Sequence, residues 1–239
     1  MTSLAAQRFA PEELAEQFPN APLREASFEV RFAPRLRITS EIWRMQDALA
    51  PEYPTFGTEP TLTPTGLVQG HYFQTQDGEN KVVASQSNFG LIKKRYPGFS
   101  KFLEEALSYT NRFCAIYEIP AFTRVGMRYN NQFLLPGADR MRIAQWVNPF
   151  LDLTRVDLAK TTQFAVELRS AFDDHGVTAR TALLNDPASA YVLDVDCYVE
   201  RQCALSELAS LLPKFHDTAK KIFLEHMKPA LKDEFRRRP

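Results

Sequence analysis

Glycine is scarce in this chain, nine residues in 239, and too dispersed to build the Gly-rich loops that cradle phosphates. Its three cysteines, Cys114, Cys197 and Cys203, are odd in number and lack the CxxC and Cys/His spacings of metal or redox sites. They read as small buried hydrophobes of a reducing compartment. No apolar run approaches the roughly 20 residues a membrane helix needs. Residues 1–18 also lack the uninterrupted apolar core and small-residue cleavage site of a signal peptide. A soluble, cytoplasmic protein without membrane contact is expected. Neither sign of charge dominates, since Lys+Arg and Asp+Glu both number 29, so no global field favours nucleic acid or any other single-sign partner. Serine and cysteine have no nucleophile elbow around them, and no cofactor is indicated.

What is present is material for a core, 44% hydrophobic and 12% aromatic, distributed in two periods. Glu25 to Phe32 alternates strictly, with Ala26, Phe28, Val30 and Phe32 on one face and Glu25, Ser27, Glu29 and Arg31 on the other, the pattern of a half-buried strand. Glu12 to Phe18 predicts a short helix, and Glu41 to Leu49 a second, capped by Thr39 or Ser40. Residues 53–65, broken by Pro54, Pro60 and Pro64, predict a mobile or inserted loop. Val68 to Gln76 and Lys81 to Lys94 flank Asp77-Gly78, a strong hairpin signal. A helix capped by Ser100 follows, carrying Phe102, Ala106, Phe113 and Tyr117 on one stripe. Arg124 to Phe133 is again a strand, with Val125, Met127, Tyr129 and Phe133 opposite Arg124, Gly126, Arg128, Asn130 and Gln132.

The second half repeats the theme. A short helix over Met141 to Leu151 leads into strands at Gln163–Phe172, Val177–Leu184 and Tyr191–Glu200, with turns at Asp173 to Gly176 and Asn185-Asp186-Pro187. A helical region from Leu205 to Phe235, broken at Pro213, ends with Phe215, Ala219, Ile222 and His226 in register. The Glu29-Val-Arg31 and Glu167-Leu-Arg169 strands echo one another, which suggests an internal repeat. The expected fold is α+β: two related lobes, residues 1–139 as β-α-β-β-α-β and 140–239 as α-β-β-β-α, sharing a curved antiparallel sheet with helices on one face. One continuous domain is the alternative division.

The polar sheet face gathers Glu29, Arg31, Arg124, Arg128, Glu167, Arg169, Arg180, Asp194 and Asp196. Cross-strand ion pairing on a solvated face explains such a set without a ligand. A sharper reading makes Arg31, Arg124, Arg128, Arg169 and Arg180 an anion site, because guanidinium forks match phosphate and carboxylate oxygens. In a third, Asp194, Asp196 and Glu200 hold Mg²⁺, a hard cation that takes few protein ligands, as in a tunnel-type phosphohydrolase. Such an enzyme is expected to open on Glu-x-Glu-x-Lys, whereas this chain has Ser27-Phe28-Glu29-Val30-Arg31. The histidines, His71, His175, His216 and His226, are scattered; His175 is expected in a solvated turn and His216 in the core.

Three segments, Ala21-Pro22-Leu23-Arg24-Glu25-Ala26-Ser27-Phe28-Glu29-Val30-Arg31-Phe32, Arg124 to Asn131, and Phe215-His216-Asp217 with Phe223 and Leu231 to Phe235, together resemble an uncharacterised, sporadically distributed bacterial family of about this length. Tyr96-Pro97-Gly98-Phe99 is similar to a fourth family segment, with Phe where Trp is expected. The resemblance implies no catalytic residues; its patchy distribution implies association with mobile or defence loci. The reading is a binding or interaction protein whose partner is a protein or a small anion, a homodimer being compatible with it. The alternatives are the phosphohydrolase and a lipid-binding sheet-and-helix grip.

Overall fold

The computed structural model describes residues 18, 21–63, 66–134, 143–150, 160–161, 163–172, 174–184 and 190–236. The alternation at Glu25 to Phe32 does form a strand, β1 (Leu23–Arg31), which buries Ala26, Phe28 and Val30. The helical turn α1 (Arg37–Ser40) and helix α2 (Ile42–Leu49) follow it. Neither Thr39 nor Ser40 caps α2: Glu41 precedes it without a side-chain cap, its carboxylate taken by Arg37 and Arg44.

The proline-bearing stretch expected as a loop is instead β2 (Thr55–Thr63), paired residue by residue with β3 (Gly66–Gln74). Pro60 is tolerated within it because β2 lies at the sheet edge, where a missing N–H breaks no second ladder. Asp77-Gly78 turns the chain as expected, with Gly78 at φ 74, into β4 (Asn80–Ala84). The run expected as one strand to Lys94 then divides: Ser85 donates to the Asn88 side-chain oxygen and the chain reverses into β5 (Asn88–Lys93).

Helix α3 (Phe99–Tyr117) starts after Gly98, which sits at φ 90, so Ser100 is not its cap but lies in the first turn. Strand β6 (Arg124–Leu134) follows, and then a single helical turn, α4 (Ile143–Trp146), shorter than the expected helix, whose outer residues lie partly outside those described. Strands β7 (Phe164–Ala171), β8 (Gly176–Leu184) and β9 (Ala190–Val199) complete the sheet. The expected helix at residues 12–17 and the turn at 185–187 fall outside the described residues.

Pro213 does not break the last helical region. Helix α5 (Leu208–His226) runs through it, and the interruption comes at residues 227–228, before α6 (Pro229–Arg236). An interior proline costs about 3 kcal/mol. Leu208, Leu212 and Phe215, each fully buried, outweigh that at about 1.5–3 kcal/mol apiece.

Among the described residues nine strands form one open antiparallel sheet in the order β2-β3-β4-β5-β1-β6-β9-β8-β7. The fold is α+β. One apolar cluster, including Phe28, Phe89, Phe113, Phe133, Tyr191 and Phe215, lies between the sheet and the helices α2, α3, α5 and α6 and draws on both halves of the chain. The other face of β1, β6, β9, β8 and β7 carries the charges. Among the described residues no helix is long and apolar enough to cross a membrane.

Candidate functional site

Period-two alternation and the strand register together set the charged face. Across β1, β6, β9, β8 and β7 one row reads Glu25, Asn130, Asp194, Arg180, Glu167, and the next reads Ser27, Arg128, Asp196, Thr178, Arg169. A third reads Glu29, Gly126, Tyr198, Gly176, Ala171. Side chains far apart in the chain therefore meet on neighbouring strands.

The five arginines expected at an anion site are all on this face, and each is engaged by a carboxylate. Arg31 Nε donates to Glu29 Oε1 at 2.6 Å. Arg124 donates to Glu29 at 3.3 Å and to Asp196 at 2.7 Å, and lies 3.8 Å from Glu200. Arg128 grips Asp194 bidentately, at 2.6 and 2.7 Å. Arg169 and Arg180 share Glu167 at 2.7 and 2.5 Å, and Arg180 Nη1 lies 3.5 Å from Asp194. Two chains of pairs result, Arg31–Glu29–Arg124–Asp196 and Arg169–Glu167–Arg180–Asp194–Arg128, and both converge on β9.

Burial separates Arg124 from the other four arginines. The Arg124 side chain is only 12% exposed, stretched over Gly126 and stacked 5.0 Å from the Tyr198 ring, and a Cβ at position 126 would collide with its guanidinium. Gly176 makes the same room on the other side, where a Cβ would come within 2.9 Å of the Tyr198 ring. Burial raises the pKa of Asp196, against the pull of Arg124 and Arg128. At the outer end, hydrogen bonds from Arg180 and then Arg169 lower that of Glu167, which is open to solvent. The bond to Asp194 raises the pKa of Arg128.

Beside the first row, on the side away from Arg128, lies a shallow, open depression of about 320 Å³, lined by Asn130, Ala165, Glu167, Arg180, Val192 and Asp194. It brings together Arg180 and Asp194 of the expected site, but not Arg31 or Arg124. Among the described residues no group of three or more His, Cys, Asp or Glu side chains is placed to hold an ion, and Asp194, Asp196 and Glu200 are not drawn together as one. Their oxygens face arginines instead. The open sheet does not enclose a tunnel.

On the opposite face a buried polar cluster ties sheet to helix. Lys93 on β5 meets Glu105 on α3 at 2.5 Å and Tyr53 at 2.9 Å, while Tyr109 bonds to Glu52. Burial lowers the Lys93 pKa, but Glu105 and Tyr53 more than reverse this and leave it raised. Sequence reading missed this cluster; the signal was a lysine at an inward position of an alternating strand. His175, expected in a solvated turn, has a side chain only 6% exposed, held by Asp174 and Thr218 and stacked on Phe172. His216, expected in the core, is half-buried, stacked at 4.0 Å on Phe99 and 2.9 Å from the Tyr129 hydroxyl. No protein-family model and no curated protein matches this chain.

Proposed function

We propose that this chain is a binding or interaction protein that works through the open charged face of its sheet and turns over no substrate. The observation that carries the reading is the pairing of all five arginines with the chain's own carboxylates on an open sheet. A site for a free triphosphate keeps cations unneutralised, since an anion otherwise has to displace Asp194 or Glu167 and leave them facing it. A surface of alternating charge suits a partner with the reverse alternation, where each pair exchanges one ion contact for another and gains specificity. Arg128, Arg169 and Arg180 keep their outer guanidinium faces in solvent, so a small anion is the second ligand class this face admits. Membership of the uncharacterised bacterial family, and with it a mobile-element or defence setting, is part of the proposal and rests on the residues that carry the resemblance.

The test is site-specific photocrosslinking in the native cell, with the probe at Ser27 on the charged face or at Lys101 on α3. Adducts from Ser27 and none from Lys101 support the reading. Magnesium-dependent release of phosphate from triphosphate or nucleotide, abolished by Asp196→Asn, sinks it in favour of the phosphohydrolase. Calorimetric binding of inorganic triphosphate that is lost in Arg128→Ala would make the small anion the ligand.

A further inference from the structure

Strand β7 closes one end of the sheet, and among the described residues no strand pairs with its outer edge. Phe172 N–H donates to the His175 carbonyl at 2.8 Å, which sets the alternation of the ladder: even-numbered residues of β7 direct their backbone groups at β8, odd-numbered ones direct theirs outward. Among the described residues Ala165, Glu167, Arg169 and Ala171 thus have no strand partner for their outward donors and acceptors, and all four are exposed. The opposite end of the sheet, β2, carries Pro60 within the strand, a common device against edge pairing. Strand β7 has no proline.

The sequence here, Phe164-Ala165-Val166-Glu167-Leu168-Arg169-Ser170-Ala171-Phe172, reads nearly the same in both directions, with charges of opposite sign equidistant from Leu168. We infer that β7 pairs antiparallel with β7 of a second copy, about a two-fold axis through Leu168. In that register Glu167 faces Arg169 of the other copy twice, Ala165 faces Ala171, and Phe164 faces Phe172, which is itself 38% exposed. Only even register sums match outward groups with outward groups. Of these, centring on Glu167 sets Glu against Glu, and centring on Arg169 sets Arg against Arg. Among the registers that keep most of β7 paired, charge therefore selects one, and the two sheets join into one. The inference does not depend on what the charged face binds.

The intact chain should sediment at twice its 27.3 kDa mass at tens of micromolar. Arg169→Glu and Glu167→Arg should each sediment as monomers with an unchanged circular dichroism spectrum. Mixed one to one, they should restore a dimer, because every facing pair is then of opposite sign. Leu168 faces itself as a non-hydrogen-bonded pair with Cα atoms about 4.5 Å apart, close enough for a disulfide. Leu168→Cys should therefore give a covalent dimer with diamide, the native thiols being buried. Ala165→Cys alone should not, whereas a mixture of Ala165→Cys and Ala171→Cys should. A monomeric wild type, a dimer indifferent to Arg169→Glu, or a covalent dimer formed by Ala165→Cys alone overturns the proposal.

Discussion

The same three-residue signature occurs at the centre of the sheet, as Glu29-Val30-Arg31 on β1, and at its edge, as Glu167-Leu168-Arg169 on β7. Locally the two are alike: each glutamate binds the arginine two residues on and a second arginine on the neighbouring strand. Their surroundings differ. Glu29 is flanked by β5 and β6, and its cross-strand arginine is pressed between Gly126 and Tyr198 on the way to a partly buried aspartate. Glu167 has β8 on one side only, and the Arg169 side chain is 73% exposed. Identical chemistry thus serves rigidity in one place and leaves contacts to offer in the other. Position in the sheet, rather than the motif, assigns the role.

The sharpest way to break this contrast is to remove the inner arginine. Arg124→Ala leaves the partly buried Asp196 without its nearest partner and should cost about 3 kcal/mol in urea unfolding, the lower end of the range for a buried pair. A loss below about 1 kcal/mol would put the centre on the same footing as the edge. Next in size, Gly126→Ala drives a methyl group into the Arg124 guanidinium and should cost about 1–3 kcal/mol. In an Arg124→Ala background the same change should cost much less, since the colliding group is gone, and additive losses would refute the stacking of Arg124 over position 126.

A pH titration separates the two ends by sign. Asp196 has a raised pKa, so its contribution to stability is full below its ordinary 3.8 and is lost as pH rises through the raised value. Glu167 has a lowered pKa, so its contribution is present above its ordinary 4.5 and is lost as pH falls through the lowered value. Carboxyl carbon shifts followed by NMR should show Asp196 titrating above 3.8 and Glu167 below 4.5; the reverse order would erase the distinction. Smallest of all, Arg169→Ala should leave the melting temperature almost unchanged, as exposed pairs do. A thermal melt with a clear loss would mean that the edge pair is structural.

How much of this was legible beforehand varies by residue. The faces of β1 and β6 followed from strict alternation, and the Asp77-Gly78 turn from a residue that tolerates positive φ. Strand β2 was lost because prolines that forbid a central strand are harmless at an edge, and edge position is a property of strand order. Convergence on Asp194 and Asp196 was equally hidden, since β6 meets β9 only in the folded sheet. Pro213 misled because local propensity cannot weigh the burial of Leu212 and Phe215. The near-palindrome of β7 was readable all along, but it acquires meaning only once β7 is known to be terminal.

The placement of β1 also bears on the birth of the molecule. Its two neighbours are encoded far downstream, β5 roughly sixty residues later and β6 later still. At synthesis rates of about 5–20 residues per second, β1 leaves the ribosome roughly 3–12 seconds before any partner exists for either of its edges. During that interval Phe28 and Val30 are an exposed apolar strand on a nascent chain. Glu25, Glu29 and Arg31, interleaved with them, then keep the orphan strand from sticking to its neighbours on a polysome.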